Sequence, residues 1–248
     1  MIDHRPARPP YRMRPISSTA LLVDFALARG LSIASVLRHT GIRDSQLTHA
    51  GAEVTFAQQV AVMRNIVHGI GDEAGFGLMA GLTCRAPQLG AVERAVMSQP
   101  TVRQAFETAI RFAERSCSLA RHTIERRGDE IELVRDDSML PAEIRRFALE
   151  HDIGALVTMQ RDAVQMRQPI KRAETTVGAD PVYEGIAVVL GVRDLAFDAR
   201  RTVLVLDPAL LDLPMPQANP KIRGLHAVRD DNRRSSASMV GPDDADRG

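Results

Sequence analysis

A chain of 248 residues with 44% hydrophobic residues has material for one large domain or two small ones and is not disordered as a whole. Thirty-two basic residues against 31 acidic ones leave a formal net charge of +1, which argues against a whole-molecule polyanion binder. Aromatics at 4% with no Trp argue against a stacking platform for single-stranded nucleic acid, and two cysteines, Cys84 and Cys117, cannot build a disulfide framework or a Cys-rich metal site.

No apolar run has the length of a membrane span. Residues 1–16 carry Arg5, Arg8, Arg12 and Arg14 beside Pro6, Pro9, Pro10 and Pro15, without the apolar stretch of a secretory signal. This segment is expected to be a disordered arm, and the protein to be soluble and cytoplasmic. From Ser17-Ser18-Thr19, whose hydroxyls suit a cap, a helix is predicted over Ala20–Arg29 with Gly30 as its stop. Ser32 caps a second helix with Ile33, Val36 and Leu37, stopped by Gly41. Thr55 opens a third with Phe56, Val60, Met63, Ile66 and Val67, ended by Gly69 and Gly71. A short helix from Asp72 through Leu82 follows, then one from Pro87 and one from Pro100-Thr101 with Val102, Ala105, Phe106, Ala109 and Ile110.

Near Ser118 the period changes. Leu119–Glu125 and Glu130–Asp136 read as strands of a hairpin turning at Arg127-Gly128-Asp129. Pro141 begins the longest helix, to about Arg167, with Ile144, Phe147, Ala148, Ile153, Leu156 and Val157 inward. Ile170–Val177 reads as a strand, and Asp180-Pro181 starts a helix to Leu190. Leu195–Phe197 and Thr202–Leu206 read as strands, and Asp207-Pro208 begins one more helical turn. The predicted class is α+β: an all-helical part over 17–116, then an α+β part over 117–220 in which a long helix covers a small mixed sheet. Residues 221–248 lack apolar periodicity and are expected to be a disordered tail.

Few stretches carry chemistry. Ser32–Thr48 has the outline of a helix-turn-helix, but only Arg43 and Gln46 suit base or phosphate contacts and Asp44 opposes them, so core packing is the preferred reading. Gly75-Phe76-Gly77 with Gly81 has the look of a dinucleotide loop; it follows a helix rather than a strand, which points instead to close helix packing. No nucleophile elbow, phosphate loop or zinc-binding histidine pair is present, so no catalytic residue, metal or cofactor is assigned. His151 and Asp152 are neighbours on a helix, about 100° apart, a poor catalytic dyad. Cys84 and Cys117 are read as small hydrophobes. A ligand pocket is expected where the helical part meets the hairpin and long helix, with His122, Arg146 and Glu150 as the polar groups able to line it; Arg146 and Glu150, four apart, also suit a simple ion pair.

Gly41-Ile42, Thr55-Phe56-Ala57-Gln58-Gln59, Gly71–Leu78 and Gln99–Ala105 fall in a characteristic order, followed by Leu140–Phe147, Leu204–Asp212 and Pro214–Pro220. This ordered set resembles the N-terminal, arabinose-binding-like effector region of AraC/XylS-type transcriptional regulators, over about Thr19 to Pro220. The resemblance implies a non-enzymatic small-molecule sensor that self-associates, with an unknown effector, and contacts DNA only through a C-terminal helix-turn-helix domain. Lys221 to Gly248 is too short for that domain, so truncation before it, or a stand-alone sensor, is expected. The alternative is a stand-alone small-molecule-binding protein or enzyme of unrelated function.

Overall fold

The computed structural model of the protein describes residues 13–49, 51–84, 91–113, 118–163, 170–190 and 192–215. Order begins earlier than expected. Within the segment assigned to the arm, Met13–Pro15 form strand β1, paired antiparallel with β2 (Glu53–Thr55), Met13 opposite Thr55. The Ile16 N–H donates to the Ala52 carbonyl at 2.9 Å and leads straight into α1 (Ile16–Leu27). A three-residue strand has no readable period, and its partner lies forty residues away. Ser18 and Thr19 therefore do not cap α1; they are buried in its first turn, where Gln59 Nε2 donates to Ser18 Oγ at 3.2 Å.

The next elements follow the sequence signals closely. Ser32 accepts from the Ser35 N–H to cap α2 (Ile33–Val36). Helix α3 (Asp44–Leu47), like α2, is a single turn, too short for a reading helix, and Val36 and Ile42 are buried in the core. Thr55 and Gln58 make a capping box on α4 (Phe56–Ile70), which ends at Gly71 with φ +90°. Helix α5 (Phe76–Gly81) starts after Gly75 (φ +92°) rather than at Asp72. Helix α6 is described over Ala91–Met97; its expected start at Pro87 lies outside the described residues. Thr101 Oγ1 accepts from the Gln104 N–H at the head of α7 (Val102–Ala113).

The hairpin forms as predicted, β3 (Arg121–Arg127) and β4 (Glu130–Asp136) joined through Gly128 at φ +62°. Then come α8 (Ala142–Ala163), β5 (Ile170–Glu174), α9 (Pro181–Leu190), β6 (Asp194–Ala196), β7 (Thr202–Leu206) and the turn α10 (Pro208–Leu211). The sheet runs β3-β4-β7-β5-β6, antiparallel except for β5–β6. Strand alternation turns Ile124, Ile131, Leu133, Ala173, Leu204 and Leu206 toward the helices. It turns Glu132, Arg172, Glu174, Val203 and Val205 to the opposite face.

The change of period near residue 117 is not the packing boundary. One core gathers α1–α5 with Ile144, Phe147 and Ala148 of α8; the other gathers α6, α7 and α9 with Ile153, Leu156 and Val157 of α8 against the sheet. The long helix was expected to lie across the sheet. Only its second half does so, while its first half is inserted into the helical unit. Gly77, Gly81 and Gly154 allow this: an added methyl at Gly77 would strike the Phe147 carbonyl, at Gly81 the His151 carbonyl, and at Gly154 the Leu78 carbonyl. The glycines thus serve close helix packing, as read from the sequence, and the partner is α8.

Candidate functional site at the helix–sheet seam

Three residues on successive positions of α8 point three ways. Glu150, only 1% exposed, accepts from the Gly77 N–H at 2.9 Å and from the Tyr183 hydroxyl at 2.6 Å. Burial and the bond to Glu150 push the Tyr183 hydroxyl well above its ordinary pKa, so it stays a donor. His151, equally buried, turns its Nε2 to within 3.5 Å of Cys84 Sγ. Asp152 turns toward the β3–β4 hairpin. His151 Nδ1 stands 3.9 Å from Asp152 Oδ1, beyond hydrogen-bond reach, in keeping with the divergence expected of helix neighbours. Cys84 is buried, as a small hydrophobe would be; Cys117 lies outside the described residues.

Asp152 is the hub of the seam. Its Oδ2 accepts from Ser118 Oγ at 2.9 Å and from Arg135 Nε at 3.1 Å, and lies 4.0 Å from His122 Nε2. Arg135 also donates to Asp137 Oδ2 at 2.5 Å, and Arg14 on β1 donates to the Ser118 carbonyl at 2.5 Å, so the first strand is tied into the cluster. Burial alone would raise the Asp152 carboxyl; adjacent His151, Arg135 and His122 outweigh it and hold it at about 2. Burial pushes the His122 imidazole below its ordinary value, with Asp152 opposing and Arg135 adding to that shift. At neutral pH the seam therefore contains an ionised carboxylate, a guanidinium and a neutral imidazole. Among the described residues, four of its buried polar atoms have no hydrogen-bond partner: His122 Nδ1, Arg135 Nη2, His151 Nδ1 and Asp152 Oδ1. Buried polar atoms are seldom left so, and four around one carboxylate mark a place that water or a polar ligand can satisfy.

The three sequence-derived pocket residues do not converge. His122 belongs to the Asp152 cluster. Arg146 is part-exposed and forms a two-pronged pair with Asp72, at 2.9 and 3.1 Å, instead of pairing with Glu150. Glu150 has a partner for each oxygen. Arg135, Ser118, Arg14 and Tyr183 were not among the sequence candidates, and Asp152 was weighed only as a poor partner for His151. One signal was there: Arg135 sits on the same strand parity as apolar Ile131 and Leu133, which puts a charge on the covered face of the sheet.

The family model of the arabinose-binding domain of AraC transcription regulators, N-terminal, matches residues 30–215. The chain belongs to this family. It is 28% identical over 216 residues to the uncharacterized HTH-type transcriptional regulators Rv1395 of Mycobacterium tuberculosis and Mb1430 of Mycobacterium bovis. The match takes in 85% of this chain and 62% of each relative, so the chain spans about three-fifths of their length. The crystal structure of the transcriptional regulator CdpR from Pseudomonas aeruginosa shares the fold, with a TM-score of 0.62 and 16% identity, over 95% of this chain and 68% of that one. Among the described residues no helix is long and apolar enough to cross a membrane.

Proposed function

We propose that this chain is the effector-sensing part of a transcriptional regulator, that it binds a small polar molecule at the helix–sheet seam, and that binding biases its self-association. The observation that carries this reading is the cluster of four buried polar atoms around Asp152 that find no partner among the described residues. Family membership supports an effector-binding role, and the regulator names of the relatives support a place in transcription control. His122, Arg135 and Asp152 are the ligand contacts. Arg146 and Glu150, on the far side of α8, frame the site by holding that helix to Asp72, Gly77 and Tyr183. The seam joins two cores through one helix and one arginine from β1. A ligand that draws Asp152 and Arg135 together shifts how the cores sit and so favours one association state, as linkage requires. This is a non-enzymatic role, and contact with DNA belongs to a helix-turn-helix domain of the full-length relatives.

Mass spectrometry of small molecules released from natively purified protein tests the proposal. A specific polar compound should copurify with the wild type and be depleted from a folded Asp152→Asn variant. Retention of the same compound by that variant rules out the seam. If no compound copurifies and sedimentation velocity finds one association state under a panel of sugars, amino acids and carboxylates, the sensing role fails.

A further inference from the structure

The outer face of the five-stranded sheet, opposite the helices, carries a cleft of about 480 Å³ whose lining side chains are all charged. Its floor is Glu132, 2% exposed, placed beside Val205 in the middle of the sheet. Each of the three carboxylates in the cleft is engaged. Arg201 Nη2 donates to Glu132 at 2.7 Å. Arg172 Nη2 lies 3.3 Å from Glu130 and 3.4 Å from Glu174. Two further lining residues, Arg127 at the end of β3 and Arg200 just before β7, have no ion-pair partner among the described residues.

What remains uncommitted is positive. Arg172 and Arg201 offset two of the three carboxylate charges, and Arg127 and Arg200 bring the lining to a net charge of +1. The volume falls in the range of small-molecule sites, roughly 300–1,000 Å³, but every lining residue is an Arg or a Glu, so selectivity comes from charge. Guanidinium forks match two-oxygen anions in plane and spacing. We infer that this cleft is a second ligand site, separate from the seam, that takes a small oxyanion bearing carboxylate or phosphate groups between Arg127 and Arg200. Arg201 and Glu132 form its fixed base. Because the contacts are charged and Arg127 and Arg200 are exposed, binding weakens as salt rises.

Isothermal titration of the full chain at low ionic strength, with citrate in one arm and inorganic phosphate in the other, tests this and separates the two chemistries. Saturable one-to-one binding of at least one probe is expected. Its Kd should rise at least tenfold in an Arg127→Gln/Arg200→Gln variant and stay within twofold in an Arg38→Gln/Arg43→Gln variant, which loses the same charge from exposed sites in the helical part. Lack of saturable binding by either probe overturns the inference, as does equal weakening in both variants. Binding abolished by Asp152→Asn but kept by Arg127→Gln/Arg200→Gln would place the anion at the seam and also overturn it.

Discussion

Replacing Gly81 by Ala should unlock the contact between α5 and α8. In an ordinary exposed helix position Gly→Ala gains about 0.5–1 kcal/mol from backbone entropy. Gly185 on α9 is such a position, since an added methyl there meets nothing within 4 Å. At Gly81 the methyl would run into the His151 carbonyl and lie 2.8 Å from the Ala155 nitrogen and 2.9 Å from the Gly154 Cα. All three obstacles are backbone of α8, so no side chain can swing aside. The helices must part, which loosens the bonds from Gly77 to Glu150 and from Cys84 to His151 on the same seam. Overpacking of this kind costs about 1–3 kcal/mol or more, and exceeds the entropy gain. The two variants should therefore differ by roughly 3 kcal/mol in opposite directions about the wild type. With a urea slope of about 3 kcal/mol per M, their midpoints separate by about 1 M. Urea melts followed by circular dichroism measure this directly. If Gly81→Ala is as stable as Gly185→Ala, the close crossing of α5 and α8 is wrong.

Phe147, 2% exposed and packed edge-on to Phe25 with ring centroids 6.3 Å apart, should cost about 3–5 kcal/mol when cut to Ala, whereas Asp24→Ala on the exposed side of α1 should stay within about 0.5 kcal/mol; thermal melts of the pair decide it. Because His122 is held neutral below its ordinary value of 6.5, the unfolded chain takes up a proton that the folded one refuses, so stability should fall as pH drops below about 6.5. His122→Gln should flatten that fall in urea melts between pH 7 and 5; an unchanged slope would assign the proton elsewhere. Asp152, held at about 2 against 3.8 when unfolded, contributes roughly 2 kcal/mol above pH 3.8 that is lost as pH falls toward 2, and Asp152→Asn should remove this acid limb from the curve.

Local signals settled local structure. Ser32, Thr55, Thr101 and Asp207 each cap the helix that their position suggested, because a cap needs only a hydroxyl or carboxylate and an N–H two or three residues on. Gly128 turns the hairpin for an equally local reason, and β7 has the very bounds its apolar run indicated. The glycines of α5 could be assigned to packing from sequence, but their partner could not. Pairing over a long span was out of reach. β1 finds β2 across the whole of α1–α3, and Arg14 finds Ser118 across 104 residues, although Arg14 looked like one more charge in a Pro-rich arm. The long helix was legible as a helix with one apolar stripe, yet the stripe serves two cores in succession, and only packing decides where one ends. The same limit governs the site. Sequence placed His122 on a strand near the long helix, but which of Glu150, His151 and Asp152 meets it depends on the rotation of α8. That rotation is fixed by Gly77, Gly81 and Gly154 letting two backbones touch, a contact made in three dimensions and written in no single stretch of the chain.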